Sequence, residues 1–85
     1  MTTSPRAVTS AAPPELLALL PVDRGSAVPL HRQIYDGLRR AILDGMLRAG
    51  HRVPSTRDMA AGLRVSRFPV LTAYEQLLHE GYLEG

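Results

Sequence analysis

No cysteine occurs in the 85 residues, so the chain has neither a disulfide framework nor thiolate metal ligands, and nothing in it demands an oxidising compartment. That composition fits the cytoplasm. Lysine is also missing, all ten basic residues being arginine, which excludes chemistry that needs a lysine amine, such as Schiff-base catalysis with pyridoxal phosphate. The longest apolar run near the start, Leu16–Leu20, follows Glu15 and two prolines. It is too short for a secretory signal and far below the ~20 residues of a membrane span. The three histidines, His31, His51 and His79, have no short metal spacing, so no metal site is expected. No phosphate-cradling glycine loop or nucleophile motif appears.

What is present is one domain's worth of chain with 45% hydrophobic and 21% charged residues, ordinary globular usage. Residues 1–20 are expected to be a flexible arm, because Met1–Pro14 has no periodic apolar face to offset its ordering entropy. Residues 21–28, with Pro21, Gly25 and Ser26, suggest an extended connector. The folded unit is then residues 29–85.

Apolar positions at spacings of three and four predict three helices in that unit. The first runs from about Pro29 to Asp44, buries Leu30, Ile34, Leu38, Ala41 and Ile42, and stops at Gly45 with Met46 and Leu47 folding back. Asp36 with Arg40 is its expected i,i+4 ion pair. A turn at Ala49-Gly50 and a short extended piece before Pro54 lead to a second helix, capped by Ser55 with Asp58 in its first turn and burying Met59, Ala60 and Leu63. Ser66 is expected to cap a third helix from Arg67 to about Glu80, with Val70, Ala73, Tyr74 and Leu77 inward and Gly81 as its stop. Tyr35 and Tyr74 are expected in the core, and Tyr82-Leu83 read as the start of a strand. Three helices with short connections are the pattern of a helix-turn-helix.

Net charge is only +2, but it is polarised: Arg48, Arg52, Arg57, Arg64 and Arg67 face a single acid, Asp58, while Glu75, Glu80 and Glu84 make the end acidic. Arginines around two helix N-termini suit phosphate oxygens, whereas a solvated basic face is the plain alternative. The motifs decide between them. Pro54-Ser55-Thr56-Arg57, Met59-Ala60, Leu63, Val65-Ser66-Arg67, Val70, Ala73, Leu77 and Glu80-Gly81-Tyr82-Leu83 resemble the winged helix-turn-helix of GntR-type bacterial transcription regulators. Asp23-Arg24-Gly25-Ser26, Pro29 to Tyr35 and Ala73 to Leu77 look more narrowly like the MocR subfamily.

The resemblance implies a mainly α fold, a three-helix winged helix-turn-helix whose wing would follow Leu83, beyond which too little chain remains to form it. It also implies the N-terminal module of a regulator, not an enzyme, that binds a double-stranded DNA operator, with a homodimer and pyridoxal phosphate expected only through an absent C-terminal domain. Ser55, Thr56 and Arg57 would then lie against the phosphate backbone, and Ser66, Arg67, Phe68 and Leu71 on the helix entering the major groove. Competing roles for the arginines are ion pairs, Arg67 with Glu75 and Arg57 with Asp58 or Asp36. Phe68 and Leu71 suit either thymine methyls or packing against a wing. A helical protein-interaction module is the alternative function. The sequence departs from the family pattern at Arg64, where glycine is usual in the helix-helix turn, at Pro69, where a polar residue is common, and at Ala49, where proline is common.

Overall fold

In a computed structural model, described for residues 13–47 and 53–83, four helices follow in chain order. They are α1 (Pro14–Ala18), α2 (Leu30–Leu43), α3 (Thr56–Leu63) and α4 (Arg67–His79). The last three are the helices expected from periodicity. Helix α4 packs against both α2 and α3, so it is the central element. Ile34 and Leu38 of α2, Met59 of α3 and Val70, Ala73 and Leu77 of α4 meet in the core with no exposed surface. Leu30, Ile42 and Leu63, expected inside, are only half-buried, because they flank the seam where the helices meet.

All three long helices stop the same way. At the end of α2 the Gly45 N–H donates to the Ile42 carbonyl (3.1 Å) and the Met46 N–H to the Ala41 carbonyl (2.8 Å). At the end of α4 the Gly81 N–H reaches Leu78 O (3.1 Å) and the Tyr82 N–H reaches Leu77 O (2.9 Å). Both glycines have the positive φ this motif needs, 81° and 86°. Helix α3 ends identically with the Arg64 N–H on Ala61 O (3.2 Å) and the Val65 N–H on Ala60 O (3.0 Å). There the left-handed residue is Arg64 itself, at φ 60°, which costs an L-residue ~1–2 kcal/mol.

Five expectations are corrected. The arm does not extend to residue 20: α1 begins at Pro14, and Leu16 and Leu20 are buried in the common core; residues 1–12 lie outside the described chain. The cause is Gly37, in the middle of α2, where an added Cβ would stand 2.6 Å from Leu20 Cδ2. A glycine there weakens the helix by ~1 kcal/mol but leaves a trough into which Leu20 settles. Residues 21–28 are not extended either. The Gln33 side chain accepts from the Asp23 N–H (2.7 Å) and donates to the Asp23 and Val28 carbonyls (2.9 and 2.7 Å), folding the loop onto α2.

Tyr82 and Leu83 form no strand; the backbone curls back to Leu77, and no strand occurs among the described residues. Nor does Asp36 pair with Arg40. It pairs instead with Arg32, one turn earlier on the same helix (3.3 Å). Of the two residues expected to fold back after Gly45, Leu47 is buried and Met46 is exposed.

Candidate nucleic-acid interface

Helices α3 and α4 are joined by Arg64, Val65 and Ser66, so the C-terminal end of the first stands next to the start of the second. The N-terminus of α3 is fixed twice. The Asp58 N–H donates to Ser55 Oγ (3.1 Å), the expected cap, with Asp58 itself at the positive helix end. The part-buried Tyr74 hydroxyl, from the middle of α4, donates to the Pro54 carbonyl (2.8 Å). Burial pushes the Tyr74 hydroxyl's pKa well above its ordinary value, so it remains a donor throughout the neutral range. Thr56 is half-buried and Arg57 exposed.

The start of α4 is different. Ser66 occupies the N-cap position, as expected, but its hydroxyl makes no capping bond. Pro69 removes one of the two donors available there: a cap's oxygen accepts from the second or third helical N–H, and at the third position of α4 proline has none to offer, leaving only that of Phe68. The Ser66 hydroxyl and the first N–H groups of α4 are thus left to solvent. Beside them Arg67, Phe68 and Leu71 are all exposed. Among the described residues the ion pair found is Arg32–Asp36, so neither Arg67 with Glu75 nor Arg57 with Asp58 or Asp36 is engaged. Arg48 and Arg52, part of the expected cluster, lie outside the described residues.

Sequence reasoning passed over a second contact set that orients α4. The Tyr35 hydroxyl of α2 donates to the Glu80 carboxylate, which also accepts from Gln76 Nε2 (3.3 Å). Arg39 Nε donates to the Tyr82 hydroxyl (3.2 Å) and its guanidinium stands 5.5 Å from that ring's centre. The hydrogen bond from Tyr35, and then that from Gln76, hold Glu80 below the usual carboxylate range, while the same bond to Glu80 pushes Tyr35 up. The only hint in the sequence was an aromatic ring with a polar tip, in both Tyr35 and Tyr82.

Together the described residues present two helix N-termini, one braced and one without a side-chain cap, with an exposed arginine, free of any ion pair among them, at each. The sequence profile of the bacterial regulatory proteins of the gntR family matches residues 30–85. The chain belongs to the GntR family. This GntR domain is 54% identical over 67 residues to the probable rhizopine catabolism regulatory protein MocR of Rhizobium meliloti, covering 79% of the chain and 14% of that protein. It is 40% identical over 70 residues to the pyridoxine biosynthesis transcriptional regulator PdxR of Corynebacterium glutamicum, covering 80% of the chain and 16% of that protein. The chain therefore spans about a seventh of the length of these relatives.

Among solved structures, the GntR-family transcription factor YtrA of Sulfolobus acidocaldarius superposes with a TM-score of 0.70 at 35% identity, over 74% of this chain and 67% of YtrA. The fold is thus that of the GntR DNA-binding helix-turn-helix, the class is transcription regulation, and the relatives are regulators rather than enzymes. None of them favours the alternative of a protein-interaction module. No helix among the described residues is long and apolar enough to cross a membrane.

Proposed function

We propose that this chain is the operator-reading module of a longer, cytoplasmic, MocR-type regulator that works as a homodimer through parts outside these 85 residues. Helix α3 supplies Ser55, Thr56 and Arg57 to the phosphate backbone, fixing register. Helix α4 enters the major groove, about 12 Å wide, with Ser66, Arg67, Phe68 and Leu71 against base edges. The observation that carries this reading is Arg67 at the first position of α4, exposed and free of any ion pair among the described residues. Its planar fork matches the O6 and N7 acceptors of guanine, and the uncapped N–H groups around it favour an anion.

Pyridoxal phosphate, on this proposal, belongs to the remainder of the longer protein. These 85 residues have no amine side chain to condense with its aldehyde, and no step here runs through it.

If one copy neutralises ~4 phosphates, log affinity falls with log salt at a slope near −3.6. Titration of cognate and random duplexes tests the assigned roles. Arg67→Ala costs ~1–3 kcal/mol on the cognate site and little on random DNA, whereas Arg57→Ala weakens both alike. Equal losses on both duplexes for Arg67→Ala refute the division of labour.

A further inference from the structure

We infer that Phe68 and Leu71 form an apolar reader of the thymine 5-methyl group, set beside the guanine edge assigned to Arg67. The inference rests on the DNA-binding reading above and names what that surface selects. Phe68 is 74% exposed and Leu71 42%, and neither joins the core cluster. The inward side of α4 is already filled by Val70, Ala73, Tyr74 and Leu77. Three positions apart, the two side chains are neighbours on the helix surface, and Leu71 is one turn beyond Arg67. They are therefore continuous with the proposed interface, unlike exposed Leu43 and Met46 at the end of α2.

Polar readers are few at this end of α4: Ser66 sits at the cap, Pro69 offers no donor, Thr72 is half-buried, and the next exposed residue, Glu75, is repelled by phosphates. Beyond the Ser66 hydroxyl, one guanidinium and one apolar pair remain. The major groove displays a single apolar mark, the C5-methyl of thymine, so the groups left on the helix match a guanine with a neighbouring thymine.

The test begins with a site selected by this chain from a random duplex pool, followed by replacement of each thymine in turn with deoxyuridine, which removes only the methyl. At one or two positions next to the guanine contacted by Arg67, binding weakens about fourfold, the worth of one buried carbon. Phe68→Ala abolishes that difference, and Phe68→Leu retains part of it. Neither changes the salt slope or the melting temperature, because the ring is exposed. Equal affinity for thymine and uracil duplexes at every position overturns the inference, with no variant required. So does a difference that survives Phe68→Ala combined with Leu71→Ala, the outcome expected if the phenyl instead serves a protein partner. A pool that yields no enriched sequence, with binding insensitive to salt, sinks the DNA-binding reading itself and this inference with it.

Discussion

Two helix starts eleven residues apart show opposite uses of the same amino acid. Ser55 binds the Asp58 N–H, and the carbonyl before it is held by Tyr74, so the start of α3 is part of the fold. Ser66 has the same position in α4 and makes no capping bond, Pro69 having removed one of the two N–H groups that could supply it. A cap stabilises by ~1 kcal/mol but occupies the hydroxyl and an N–H. An uncapped start forgoes that energy and keeps both groups available to a ligand. The braced terminus is therefore suited to a fixed phosphate contact, and the open one to groups that complete their bonding only on DNA.

The contrast is easiest to break through Tyr74. Tyr74→Phe removes the bond to the Pro54 carbonyl and destabilises by ~1–2 kcal/mol, which thermal melting reads as a drop of several degrees. DNA affinity falls as well, since α3 loses its tie to α4. A melting temperature unchanged by this substitution would mean that the bond does not brace the terminus. Ser55→Ala is next, costing ~1 kcal/mol in denaturant titration, while Ser66→Ala stays within ~0.5 kcal/mol of the parent and shows its effect in DNA binding instead. Similar stability losses for both serines would erase the distinction.

Arg64→Gly relieves the left-handed strain at the turn between the two helices and raises stability by ~1 kcal/mol, so a lower melting temperature would contradict the assigned geometry. The smallest effect is at Glu80. Its pKa lies below the unfolded value, so the bond from Tyr35 contributes fully above that value, near pH 4.3, and is lost as pH falls through the lowered one. At the alkaline end Tyr35, whose pKa is raised, contributes until pH climbs through its elevated value. Glu80→Gln should flatten the acid limb of a stability-against-pH curve and leave neutral pH almost unchanged.

The helices of this domain were legible because their boundaries are written in local chemistry: Pro29, Gly45, Ser55 and Gly81 all act on atoms a few residues away. Helix α1 was not, since five residues have too little periodicity to announce themselves and their order depends on Leu20 meeting Gly37 across the fold. A glycine inside an otherwise apolar-periodic helix was the available signal. At the candidate interface, the exposed placement of Arg67 and Arg57 at two helix starts was readable from charge and position. The loss of one cap donor at Pro69 was also present in the sequence, but only to a reader who asks which N–H the serine would bind. Tyr35, Arg39, Glu80 and Tyr82 were illegible as a set, because their partners are more than forty positions apart.

The curled end of α4 makes it a lever. Both Tyr82 and Leu83 donate N–H groups to the Leu77 carbonyl, and Tyr82 also meets Arg39 on α2, so the downstream chain is anchored to two helices at once. Tension or torque from any segment joined after it is passed to α4, the helix proposed to enter the groove.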